Sequence, residues 1–210
     1  MIFNLNNCEE LLLNEEKIYI FNTFYNRPNK IFEHLLNINP TLHKGNNTLN
    51  SKLFLDLRHN GHIEELNEMV EHFEKFTNEK CIHKDNNLIT NMQKWFDNDY
   101  NNYKDNYWWP HYDPGYTLLI YLNDNNKDNG LNLYEDTPYF EKQSKYIEHM
   151  NPWHNKSNYK LLKHIETPFN TAILFDAKKF LHGPSIKNKN NFKYFRLNQA
   201  VFFKNDYYKY

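Results

Sequence analysis

The chain reads as an α+β protein: helices come first, and a sandwich or barrel of antiparallel strands follows. Three observations predict this. Glu64–Asn78 carries Leu66, Met69, Val70, Phe73 and Phe76 on one helical stripe. From Leu88 onward the chain changes to short apolar or alternating runs separated by clusters of Asn, Asp, Gly and Pro. The 210 residues contain no internal repeat and no linker, so they are expected to form one domain around one core.

Taken in order, Lys17–Tyr25 (KIYIFNTFY) is rich in β-formers and predicts a strand. Asn-Arg-Pro then introduces a helix over Asn29–Asn37, with Pro28 in its first turn. Leu53, Leu55 and Leu57 alternate with Phe54, Asp56 and Arg58, the period of a strand with one buried face. The stripe of the Glu64–Asn78 helix is core packing. LITNMQKWF, YTLLIYLN, GLNLYED, TAILFDA and FRLNQAVFF are the strands that follow. Residues 137–163 are polar, aromatic and irregular and read as an insertion. The expected division is a helix-rich part over 1–87 and a β core over about 88–204.

Composition limits the partners. Mean hydropathy is low at −0.92, but 16 Phe, 16 Tyr and 4 Trp restore the volume a core needs. A net charge of −1 supplies no field for a nucleic-acid backbone. Cys8 and Cys81 are too few for a disulfide framework and lack metal-motif spacing, which suits two reduced thiols. The N-terminal stretch has no basic region or long apolar core, and no run approaches a membrane span. A cytoplasmic, reducing location is therefore expected.

Candidate chemistry begins at WWPHYDPG, Trp108–Gly115. His-x-Asp occurs twice, at His111/Asp113 and His83/Asp85, so the spacing alone decides nothing. Only the first copy is followed by Pro-Gly and a strand-forming run. In extended backbone, residues two apart share a face, so both side chains can point at one ion. A third ligand is available at His182, after the apolar run TAILFDA and before Gly-Pro. Two His and one carboxylate with open positions form the facial triad of non-haem Fe(II) oxygenases. Fourteen residues further on, Arg196 interrupts YFRLNQAVFF. A guanidinium in a run made for burial is costly without an anionic partner, which is either a structural carboxylate or a bound one. His62, His72 and His164 each have Glu two residues on, and His149 and His154 lie in the insertion as surface histidines. None of these five is expected to be a ligand. Trp108, Trp109, Tyr112 and Trp153 line either a substrate cleft or the core.

The ordered pieces HYDPGYTLLIYLND, NGLNLYED, ILFDAKKFLHG and FRLNQAVFF resemble the iron(II)/2-oxoglutarate-dependent oxygenase superfamily, in particular its prolyl-hydroxylase-like branch. The likeness covers roughly Trp108–Phe203, with a weaker echo in FNTFYNRPNKIFEHLL. It implies a double-stranded β-helix, a jelly-roll or cupin-like core with the N-terminal helices packed on one side. It also implies His111, Asp113 and His182 as iron ligands, and Arg196 as the partner of the 5-carboxylate of 2-oxoglutarate. Tyr121 matches a tyrosine that bonds the same carboxylate, although a core tyrosine fits the position equally. The activity implied is O₂-dependent hydroxylation coupled to decarboxylation of 2-oxoglutarate to succinate. The substrate stays open between a peptide, an amino acid and a small metabolite. The chain departs from the family at Asn129-Gly130, where Gly-Gly is usual, and in the long loop between His182 and Arg196. A nucleobase demethylase of the superfamily would carry a second Arg six residues after the first, where this chain has Phe202. A metal- or ligand-binding β-barrel without oxygen chemistry is the alternative of another class.

Overall fold

The computed structural model describes residues 3–37, 41–42, 53–56, 63–78, 87–93, 99–113, 115–122, 129–136, 153–186 and 196–203. The larger sheet is built from β1 (Cys8–Leu13), β2 (Glu16–Phe21), β3 (Thr41–Leu42), β4 (Leu53–Asp56), β5 (Asn87–Gln93), β7 (Tyr116–Tyr121), β11 (Thr171–Asp176) and β13 (Arg196–Phe203). Its strands are ordered β1-β2-β11-β7-β13-β5-β4-β3 and every neighbouring pair is antiparallel. The smaller sheet, β10-β8-β12, uses β8 (Asn129–Tyr134), β10 (Leu161–Glu166) and β12 (Leu181–Ile186). A short ladder joins β6 (Asn106–Trp108) to β9 (Trp153–Asn155).

Strand alternation sorts the larger sheet's side chains onto two faces. Leu118, Ile120 and Leu122 point one way with Tyr19, Phe21, Leu174, Leu197, Val201 and Phe203. The helices α1 (Pro28–Asn37) and α2 (Ile63–Thr77) cover that face with Leu35, Met69, Val70 and Phe73. Phe73 stacks on Phe203 with ring centroids 4.1 Å apart. The predicted stripe is core packing wherever its side chains are described. Both helices therefore sit on one side of the large sheet.

The opposite face carries Ile18, Ile20, Ile173, Phe175, Leu119 and Tyr121, which pack against Leu131, Leu133 and Ile165 of the smaller sheet. The two sheets are thus face to face, and the strands between helices and small sheet are buried on both sides. Unbroken apolar runs such as TLLIY follow from that position.

Among the described residues up to 86 there are four strands as well as two helices, and β1 and β2 extend the main sheet at the β11 edge. β2 stops at Phe21, short of the predicted Tyr25. Within 137–163, the described residues from Trp153 onward form β9, a 3₁₀ turn at Lys156–Asn158 and the start of β10. Its polar sequence hides strands that are short or half-exposed. A third helix, α3 (Asp99–Asp105), precedes β6.

Candidate metal centre

His111 and His182 meet across the edge of the smaller sheet. Their backbones exchange two hydrogen bonds, His111 N–H to His182 O at 2.8 Å and His182 N–H to His111 O at 2.9 Å. This adds residue 111 to the sheet beside β12. Asp113 is held from the other side, where its N–H donates to Ala177 O at 3.1 Å just past β11. The result brings His111, Asp113 and His182 together, with one ligand atom from each within 4.8 Å of the others. His182 Nε2 lies 3.3 Å from Asp113 Oδ2, and His111 Nε2 lies 3.7 Å from Asp113 Oδ1.

The orientation of both rings has a backbone cause. His111 Nδ1 faces Trp109 O at 2.8 Å, and His182 Nδ1 faces Phe180 O at 3.0 Å. A carbonyl only accepts, so each Nδ1 donates its proton there and each ring turns its Nε2 towards Asp113. In both cases the acceptor is the carbonyl two residues upstream. Trp109 adopts φ 40° to present its carbonyl, an uncommon conformation for a bulky residue, and its ring stacks on His111 at 5.0 Å.

Charge and burial agree with a cation site. Burial pushes the Asp113 carboxyl up, but the charges of and hydrogen bonds from His111 and His182 outweigh it and hold the group far below the usual carboxylate range. His182 is pushed down by burial and by the neighbouring His111, against the pull of Asp113, which favours the neutral imidazole a metal needs. His182 is sealed, with Phe175 edge-on at 5.0 Å, whereas His111 and Asp113 are half-buried. The group is therefore open on the side of His111 and Asp113.

Gly183 makes this geometry possible. A Cβ there would come within 2.9 Å of Trp108 O and 3.3 Å of Trp109 O, the latter being the carbonyl that orients His111. Gly183→Ala is therefore expected to push segment 108–110 off β12. Metal affinity should fall about 10–100-fold, as when a supporting partner of a ligand is lost, while far-UV circular dichroism stays unchanged. Unaltered affinity in a titration would show that the segment adjusts without moving His111.

Arg196 lies 4% exposed at the start of β13. It is two residues before Asn198, which is paired with Tyr121, so by alternation it faces the smaller sheet. Its guanidinium sits 5.2 Å from the centre of the Tyr121 ring and reaches across to Gly130 O of β8 at 3.5 Å. Among the described residues no carboxylate pairs with it, and its Nε has no hydrogen-bond partner. Tyr121 Oη is also buried, close enough to the guanidinium to feel its charge but short of a well-aligned hydrogen bond. Burial raises the Tyr121 phenol above its ordinary value while the guanidinium pulls it back. Thr117 and Thr171, on the same face as Tyr121 by register, likewise bury hydroxyls that meet no partner. Leu119, between Thr117 and Tyr121, is only half-buried, and so is Pro184 on the facing strand. On the helix side, by contrast, Gln199 is bonded by Tyr25 Oη at 2.6 Å. Arg196, Tyr121, Thr117 and Thr171 thus place four polar groups on a sheet face that is otherwise apolar.

The remaining candidates separate cleanly. His72 faces Glu68 at 3.8 Å along α2, and His164 Nδ1 bonds Asn132 Oδ1 at 2.9 Å. His154, expected at the surface, is buried, because the ladder with β6 and the Tyr159 hydroxyl at 2.8 Å enclose it. Trp108 and Trp153 pack on each other at 4.9 Å with Tyr103 and Ile186; Trp109 packs against the same cluster while stacking on His111, and Tyr112 packs against Tyr134, Tyr159 and Leu181. The Tyr112 hydroxyl donates to Asp136 at 2.8 Å. Asn129-Gly130 opens β8 instead of forming a turn, and Gly130 is needed because a side chain would overlap the Ile165 carbonyl. His62, His83, Asp85, His149, Cys81 and the loop 187–195 lie outside the described residues. Missed in the sequence were the two carbonyls behind the histidines and the hydroxyls of Thr117 and Thr171.

No protein-family model matches the chain, and no curated protein matches its sequence.

Proposed function

We propose that the protein is an iron(II)- and 2-oxoglutarate-dependent oxygenase that hydroxylates a peptide, an amino acid or a small metabolite. The observation that carries the proposal is Arg196, buried and without a carboxylate partner among the described residues, on the sheet face that packs against the strands carrying the His-Asp-His group. Strand order supports the fold that accompanies this chemistry. The neighbours β5-β13-β7-β11 in one sheet and residue 111-β12-β8-β10 in the other make the chain pass between the sheets repeatedly, as in a double-stranded β-helix.

The donor set fits the groups it would hold. One carboxylate and two neutral imidazoles suit Fe(II) and leave positions free. A dicarboxylate co-substrate then brings charge that, with Asp113 and Arg196, cancels the charge of the divalent ion. When bound, the iron and co-substrate supply oxidation of an unactivated C–H bond by O₂. The chain's own residues do the rest. His182 and Phe175 close the inner side against water, and Trp109 O and Phe180 O hold the two Nδ1 protons, so that each ring in its neutral form would offer Nε2 to the ion. Arg196 and Tyr121 fix the far carboxylate, so that the co-substrate presents its 2-oxo acid end to the ion. The open His111 and Asp113 side receives the substrate.

Anaerobic protein loaded with Fe(II) is expected to develop a visible charge-transfer band on adding 2-oxoglutarate, and to form succinate when O₂ and substrate pools are supplied. Folded protein that binds Fe(II) and gives no band would leave a metal-binding module without this chemistry.

A further inference from the structure

We propose that Thr171 is a third donor to the far carboxylate of the co-substrate, beside Arg196 and Tyr121; this rests on the oxygenase reading above. Thr171 stands directly opposite Tyr121 in the β11–β7 ladder, and Tyr121 stands opposite Asn198 in the next. Opposed residues in antiparallel strands project on the same side with Cβ atoms about 4.5–5.5 Å apart. Thr171 is 1% exposed and its hydroxyl has no hydrogen-bond partner. Valine has the same shape and would fill the position without burying an unpaired hydroxyl, so the oxygen at this point calls for a ligand.

The position is also rigid. Thr171 N–H donates to Pro168 O at 3.1 Å, and Asn170 N–H donates to Tyr121 O at 2.8 Å. The Asn170 side chain clamps the Tyr25 backbone, accepting from its N–H at 2.8 Å and donating to its carbonyl at 2.9 Å. Thr171 thus opens β11 from a turn fixed to two neighbouring segments. Its side chain projects on the same sheet face as Tyr121 and Arg196, at the end of β7 away from Thr117. Phe175 is opposite Thr117 and packs on His182, so the metal centre lies at the other end of this face. A ligand joining the two ends must carry an anionic group at each, and a hydroxyl donor at the far end adds specificity for a dicarboxylate over a monocarboxylate.

The test uses full-length anaerobic Fe(II) protein titrated with 2-oxoglutarate or with 2-oxobutyrate, which lacks the far carboxylate. The charge-transfer band is the readout. Thr171→Val is expected to weaken 2-oxoglutarate about tenfold, the loss of one hydrogen bond to a charged group. Thr171→Ser should restore it, and 2-oxobutyrate should bind the wild type and Thr171→Val alike. If Thr171→Val does not fold, Thr171→Ala removes the same oxygen. An unchanged 2-oxoglutarate titration, or a parallel loss for 2-oxobutyrate, overturns the assignment of Thr171 alone. A wild type that gives no band with either acid overturns the oxygenase reading and this inference with it.

Discussion

His182→Ala is expected to abolish tight metal binding, lowering affinity by more than about a hundredfold, beyond what loss of a supporting partner costs. The ring is the innermost of the three ligands and the only one sealed from solvent, so water has no ready path to replace it. The backbone pairing of residue 111 with β12 uses main-chain groups alone, so the strand should stay in place. Asp113 keeps His111 but loses the shorter of its two imidazole contacts, 3.3 Å against 3.7 Å. Equilibrium titration of the metal-free protein with Fe(II) or Co(II) checks this, with His72→Ala as the control on α2. Retained affinity in His182→Ala, with the control also unchanged, would remove His182 from the site and the triad with it.

The sequence made the site's membership legible because each member is chemically out of place. A His-x-Asp before a strand-forming run, a His closing an apolar strand and an Arg inside another are all costly to bury, and each cost asks for a partner. What supports them was hidden. The Trp109 and Phe180 carbonyls belong to backbone, which every residue has, and only the folded turn aims them. Gly183 is readable as small but not as the point where segment 108–110 crosses β12. The same division runs through the fold. The strands β7, β11 and β13 sit between helices and small sheet, so their apolar runs announce them. β1 is an edge strand with exposed Leu12 between half-buried neighbours, and β6 and β9 are three residues each, too short for a period. Tyr121 is compatible with core and site alike from sequence. Its buried hydroxyl beside Arg196 is what favours the site.

Replacing Arg196 by methionine is expected to separate stability from binding. An unpaired buried charge opposes folding, and exchanging a buried ionic group for an apolar one of similar length is often neutral or stabilising by about 1–4 kcal/mol. Arg196 donates a long hydrogen bond, 3.5 Å to Gly130 O, lies beside the Tyr121 ring and meets no carboxylate among the described residues, so no ion pair is lost on its removal. The ligand-free Arg196→Met protein should therefore melt at or above the wild-type temperature, by up to roughly 2–4 °C for each kcal/mol gained in a domain of this size. The same change should nearly eliminate 2-oxoglutarate binding, because the far carboxylate loses its only charged partner, while Fe(II) affinity stays near the wild-type value. Wild type should gain stability from iron and 2-oxoglutarate together, and the variant from iron alone. The opposite pattern is equally plain. A variant that melts well below wild type, or that loses iron and 2-oxoglutarate in equal measure, identifies Arg196 as a strut of the β13–β8 contact. A guanidinium that weakens the empty fold and strengthens the loaded one is a group held in place for an anion, and this pair of melting curves distinguishes the two cases without knowledge of the substrate.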